Sequence, residues 1–106
     1  MLNQVVLVGR LVEDPKIKET ESGRKVSKIK LAVPRSYKNK DGEYETDFIE
    51  ATLWSGIAET TAEYCNKGDI IGLKARIKEN NNKLELIAEK VTFLSSRRDK
   101  GAELDI

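Results

Sequence analysis

An alternation of apolar and polar residues over residues 49–53, flanked by Phe48 and Trp54, constrains the fold more than any other feature. Ile49, Ala51 and Leu53 are apolar, and Glu50 and Thr52 between them are polar. Successive side chains of a β-strand point to opposite faces, so this stretch reads as a strand with Ile49, Ala51 and Leu53 towards a core. Phe48 and Trp54 then fall on the other, wet face with Glu50 and Thr52. Large aromatic rings on a wet face mark a surface that binds something. The two rings lie about 20 Å apart at about 3.3 Å per residue. They cannot stack on each other, but they suit a platform on which several flat ligands stack in series.

The same period recurs along the chain. Residues 3–12 are apolar and β-rich, closed by Asp14 and Pro15. Residues 16–20 suit a short strand, and Glu21, Ser22 and Gly23 a turn. Over residues 26–34, Ile29, Leu31 and Val33 alternate with Lys28, Lys30 and Ala32. Residues 37–43 read as a polar connection with a strong Asp41-Gly42 turn signal. After Trp54 the period changes. Ile57, Ala58, Ala62 and Cys65 recur at helical spacing, with Ser55 as N-cap and Gly68 as stop. Residues 70–78 form a strand with Ile71, Leu73, Ala75 and Ile77 inward and Lys74, Arg76 and Lys78 outward. Residues 79–82 turn, and residues 83–94 return with a break in alternation at Ile87 and Ala88 that suggests a β-bulge. Tyr44 and Tyr64 read as structural, Phe93 as a core ring, and Cys65 as a small core residue.

Three strands, a short helix and two further strands predict an all-β domain. The order matches a five-stranded OB-fold barrel with the helix between strands 3 and 4. Other small barrels also have about five strands, so the order narrows the fold without closing it. The domain is expected over residues 1–95, followed by a short polar, disordered tail over residues 96–106.

Composition removes several functions. The chain has 106 residues, 39% hydrophobic and 35% charged, which suits one soluble domain with a modest core. No apolar run approaches the roughly 20 residues that span a bilayer, and the first residues lack a secretory pattern. One cysteine forms no internal disulfide and fits a reducing cytoplasm. There is no histidine, the commonest general base and metal ligand. One cysteine makes no Cys-rich zinc site, and no carboxylate spacing resembles a metal loop. No catalytic residue, metal or cofactor is therefore expected, and an enzyme is the weakest class. Net charge is +1, yet residues 24–40 hold seven basic residues and no acidic one, and residues 41–50 five acidic and no basic one. A field polarised in this way can steer an anionic partner.

The outward faces combine cations with rings. Lys28 and Lys30 come from the second strand, Phe48 and Trp54 from the third, and Lys74, Arg76 and Lys78 from the fourth. The connection after the second strand adds Arg35, Tyr37, Lys38 and Lys40. A flexible single strand of nucleic acid needs this mixture: cations track phosphates and rings stack on unpaired bases. The same lysines also suit solvated strand faces that blunt edge pairing, and either Phe48 or Trp54 could be covered by a loop or a second subunit.

Asn3, Val5, Leu7, Gly9, Leu11, Asp14 and Pro15, then Val33, residues 35–40, Thr46 to Phe48 and Thr52 to Trp54 together carry a resemblance to the bacterial single-stranded DNA-binding protein family. Ala58, Glu59, residues 64–68 and Glu89 to Val91 follow in family order. The resemblance implies an OB-fold that assembles into a homotetramer, stacks bases on Tyr37, Phe48 and Trp54, and holds phosphates with basic residues such as Lys40 and Lys78. It also implies a nucleoid-associated, cytoplasmic protein of DNA replication, recombination, repair or uptake, with Gly9 on a first strand that helps pair subunits. RNA is a weaker ligand expectation. Three departures stand out. The turn at residues 79–82 is short and lacks the aromatic that many members carry there. At residues 101–106 the acidic tip closing in Ile-Pro-Phe is absent or much reduced, which leaves recruitment of replication or repair proteins open. Glu50 puts a carboxylate between the two rings, where Lys30 or Arg76 could neutralise it. These departures keep a second reading open, an OB-fold adaptor in a primosome-like replication-restart complex.

Overall fold

The computed structural model describes residues 1–96. Its elements are β1 (Val5–Leu11), β2 (Lys18–Glu19), β3 (Lys25–Lys38), β4 (Tyr44–Trp54), α1 (Ser55–Tyr64), β5 (Ile70–Asn80) and β6 (Lys83–Ser95). The strands run in the order β1-β5-β6-β4-β3-β2, and β1 also pairs with β3, which closes the sheet into a barrel. Five strands build the wall. The two-residue β2 is a flap folded back on the start of β3. With α1 between the third and fourth wall strands, this is the OB-fold barrel that the element order predicts.

The β3–β4 ladder is the longest uninterrupted one, with nine consecutive pairs from Val26↔Trp54 to Pro34↔Thr46. Alternation along it sends Ser27, Ile29 and Leu31 inward against Leu53, Ala51 and Ile49. Leu31 also opposes Leu11 across the closing β1–β3 pair. From β5, Ile71, Leu73 and Ala75 complete the core, and Ala58 and Cys65 join it from α1 and its C-terminal end. Burial pushes the Cys65 thiol above its usual pKa, with nearby Asp69 adding to the effect. Closure brings β1 so near β3 that a Cβ on Gly9 would lie 3.0 Å from the Ala32 carbonyl oxygen and from Val33 Cγ2. Only a residue without a side chain fits there without displacing one strand.

Several local expectations change. β3 continues through Pro34 to Lys38, so Tyr37 and Lys38 stand on a strand and not in a connection. Proline has no N–H to donate, and the ladder register shifts between Pro34 and Lys38. Trp54 occupies the N-cap position of α1 with no side-chain cap, and Ser55 opens the helix at a left-handed φ of 50°. The helix ends at Cys65. Gly68, with φ 93°, serves the following turn, where its N–H donates to the Leu11 carbonyl at 2.9 Å. Ile77 is partly exposed near the tip of β5, and the Asn3 side chain bonds both its N–H and its carbonyl at 2.8 Å. Phe93 is 47% exposed and not a core ring. It opposes Ile71 on β5, but β6 meets β4 only at Thr52↔Ile87, so no second strand covers the ring.

The expected bulge lies one residue on, at Glu89, between Lys74↔Lys90 and Ala75↔Ala88. Asn81 and Asn82 form the β5–β6 turn with φ 53° and 64°. That is the two-residue left-handed turn that asparagine tolerates. Among the described residues no helix is long and apolar enough to cross a membrane. The polar tail foreseen after residue 95 falls almost wholly outside the described residues.

One core position is poorly satisfied. Ser27 is 1% exposed, and its hydroxyl has no hydrogen-bond partner among the described residues. An unpaired buried hydroxyl costs about 1–3 kcal/mol of desolvation. Ser27→Ala removes it with little loss of volume. The urea midpoint of Ser27→Ala should equal or exceed that of the wild type, whereas a loss of more than about 1 kcal/mol would show that the hydroxyl is satisfied.

Candidate nucleic-acid interface

Register decides which outward side chains meet. On β3 the outward row is Val26, Lys28, Lys30 and Ala32, and facing it on β4 are Trp54, Thr52, Glu50 and Phe48. From Thr52 the row crosses to Ile87 on β6 and on to Arg76 on β5, with Glu85 opposite Lys78 alongside. A groove of about 410 Å³ follows this crossing, lined by Trp54, Val26, Lys28, Arg76, Lys78 and Ile87 among others. One aromatic ring therefore shares an open groove with four cations, Lys28 on β3, Arg76 and Lys78 on β5 and Arg24 just before β3, and with one carboxylate, Glu85. Thr52 is not wet, at 2% exposed. Its hydroxyl donates to Glu85 Oε2 at 3.4 Å, which ties β4 to β6 beneath the groove.

Trp54 is only half-buried, and part of its cover is a residue the sequence reading left out of the site. The Arg24 guanidinium carbon lies 4.2 Å from the Trp54 ring centroid. Arg24 leaves the β2–β3 turn two residues before Val26, the cross-strand partner of Trp54. The period of two puts its side chain over the same row. The signal was in the sequence only as this spacing, and it required the Val26↔Trp54 register to be read. Such a cation–π contact is worth about 0.5–1 kcal/mol at an exposed site. A base on the same ring gains about 1–3 kcal/mol, so a base can take the ring from the guanidinium.

Phe48 stands further along β4, 63% exposed and opposite Ala32. Beyond it the β3–β4 hairpin extends as an arm that carries Tyr37, Lys38 and Tyr44, with Lys40 in the turn. Tyr37 and Tyr44 are 64% and 59% exposed. Lys38 Nζ lies 5.7 Å from the Tyr44 ring, so Tyr44, read as structural, belongs to the exposed aromatic set.

Three predicted positions depart from the picture of free cations around Trp54. Arg35 Nε and Nη2 donate to the Asp47 carboxylate at 3.1 and 3.0 Å, and its Nη1 donates to Glu45 at 2.6 Å. The hydrogen bonds to Asp47 raise the Arg35 pKa above its ordinary value, with the two negative charges adding to the effect. Lys74 stands on the far side of the Glu89 bulge, between Val6 on β1 and Lys90 on β6, away from Trp54. Arg76 approaches Glu89 at 3.9 Å and so is not paired with Glu50. Glu50 instead faces Lys30 directly across the ladder. The basic and acidic runs thus lie side by side in one hairpin, and the polarity along the sequence becomes local pairing in space.

Residues 2–94 match the family model described as the single-strand binding protein family. The chain belongs to that family. It is 42% identical to single-stranded DNA-binding protein B of Bacillus subtilis, with 97% of this chain and 100% of that one aligned. It is 39% identical to single-stranded DNA-binding protein 3 of Listeria innocua, over 93% of this chain and 68% of that one. A crystal structure of a deletion mutant of the single-stranded DNA binding protein from Thermus aquaticus matches the fold with a TM-score of 0.72 at 24% identity. That match covers 91% of this chain but only about half, 52%, of the Thermus chain.

Within this family member the Arg35–Asp47 pair makes a testable electrostatic brace. The hydrogen bonds from Arg35 hold the Asp47 carboxyl below its usual pKa. As pH falls, the unfolded chain takes up this proton first, near the ordinary aspartate value of about 3.9. The stabilisation is therefore complete above that value and is lost as pH falls through the lower folded one. Asp47→Asn should unfold at lower urea than wild type at about pH 7, and the gap should narrow at about pH 3. A gap that does not change with pH would show that the pair adds nothing.

Proposed function

We propose that this chain binds single-stranded DNA without sequence preference, stacking bases on aromatic rings and holding phosphates with the flanking cations. The observation that carries this is the groove in which Trp54 shares one surface with Lys28, Arg76 and Lys78. Stacking suits every base because each has a π-face, and cations along a groove follow the backbone whatever its sequence. Names of relatives at 42% and 39% identity point the same way.

Trp54 and Phe48 are the stacking rings of the barrel, and Tyr37 that of the arm. Lys28, Lys30, Arg76 and Lys78 contact phosphates on the barrel, and Lys38 and Lys40 on the arm. Arg35 acts first as a brace, because its donors are already taken by Asp47 and Glu45, and Lys74 lies off the main track. The role is that of a non-enzymatic protein of the cytoplasm that keeps unpaired DNA extended in replication, recombination, repair or uptake. Residues 1–95 are the binding domain and residues 96–106 a tail. The chain acts as a homotetramer, a reading supported by the unpartnered apolar row of Val6 and Val8 on β1.

Trp54 is the only tryptophan, so its fluorescence reports on the groove. Titration with oligo-dT should quench it strongly, with affinity falling as salt rises at a slope of about −0.7 per phosphate neutralised. Trp54→Ala, followed by a mobility assay, should weaken binding by about 1–3 kcal/mol. Absence of quenching and of binding at low salt would sink the proposal. A loss below a few tenths of a kcal/mol, roughly a tenth of a stack, would make Trp54 structural. Mass in solution should be four times that of the chain, and a stable monomer would contradict the assembly.

A further inference from the structure

We infer that Arg24 is a nucleic-acid-binding residue of the groove that exchanges partners on binding, leaving the Trp54 ring to a base and taking a phosphate oxygen. The inference rests on the single-strand reading and adds to it a residue and a movement. Three observations carry it. The guanidinium lies 4.2 Å from the ring centroid, in the space a stacked base must occupy. Among the described residues its guanidinium makes no hydrogen bond or ion pair, and it lies over the ring. Its backbone is fixed while its side chain is free: the Thr20 N–H donates to the Arg24 carbonyl at 2.8 Å, and the Arg24 N–H to Thr20 Oγ1 at 3.2 Å.

The contrast with Arg35 is instructive. Both belong to the same basic run, but two carboxylates satisfy Arg35, while a π-face alone holds Arg24. A guanidinium with unsatisfied donors is suited to a phosphate, which it can grip through two parallel bonds. A base stacked on Trp54 brings its own phosphates along the β2–β3 rim, where the displaced side chain is anchored. The exchange is not a loss for either partner. The ring trades a cation for a base, and the cation trades a ring for an anion. In the free protein, Arg24 covers part of one face of Trp54.

The test compares wild type with Arg24→Gln and Arg24→Lys, each checked by its thermal melt, since the side chain is exposed and supports no core packing. Acrylamide should quench Trp54 more readily in free Arg24→Gln than in free wild type, because the ring is uncovered. In oligo-dT titrations across a salt series, Arg24→Gln should show a slope smaller by about 0.7, one phosphate contact on a single strand, and weaker binding at low salt. Arg24→Lys should keep the wild-type slope. Wild-type slope and affinity in Arg24→Gln would overturn the inference. So would tighter binding by Arg24→Gln, which would make the guanidinium a mere competitor of the base. Failure of the wild type itself to bind oligo-dT would instead bring down the single-strand reading, and this inference with it.

Discussion

Register between β3 and β4 is the constraint on which the rest of the structure depends. Nine consecutive pairs hold it, and side chains alternate strictly along both strands. A slip by one residue would turn Ile29, Leu31, Ala51 and Leu53 out to water and drive Lys28, Lys30 and Glu50 into the core. The burial of those four apolar side chains therefore fixes, at the same time, what the outer face displays. Trp54 stands opposite Val26, Phe48 opposite Ala32 and Glu50 opposite Lys30 because the core allows no other alignment. Barrel closure adds the remaining wall: Gly9 lets β1 approach β3, and β6 carries the row from Thr52 to Arg76.

The same ladder governs the electrostatics. By folding the basic run of β3 onto the acidic run of β4, it neutralises much of the charge that the two runs separate along the sequence. Arg35 is bound by Asp47 and Glu45, and Glu50 has Lys30 across from it. Arg24 above Trp54 and Lys28 beside Thr52 are among the cations with no carboxylate in an ion pair among the described residues. Binding on such a surface depends on contacts inside the groove more than on a long-range field. Apart from the part-buried Arg35–Asp47 brace, surface pairing contributes little to stability, so its main effect is to select which basic residues remain available.

Much of the fold was legible before the structure. The five wall strands, the helix between the third and fourth, and the β5–β6 turn follow from periodicity and turn chemistry. The placement of Phe48 and Trp54 on the outer row of β4 followed from the same alternation. The misreadings share a cause, which is that neighbours outside the local window decide the outcome. Pro34 looked like a strand end, yet β3 continues because β4 still runs beside it. Phe93 looked like a core ring, but no strand covers its outer side. Arg35 looked like a free cation, and Arg24 was read only as part of the basic run. The first is claimed by carboxylates 10 and 12 residues away, the second by a ring on the adjacent strand.

By itself the sequence determined the kind of element at each position and which side of each strand is apolar. Those properties rest on spacing within a few residues, and the period of a strand or helix writes them directly into the chain. It also determined that aromatic rings and cations would share an outer surface. Only the tertiary structure decided which cation meets which ring and which meets a carboxylate. Those partners come from strands far apart in sequence, and they are brought together by register and barrel closure. Arg24 rests on Trp54 because Val26 pairs with Trp54, and Arg76 reaches that groove only through Ile87 and Thr52.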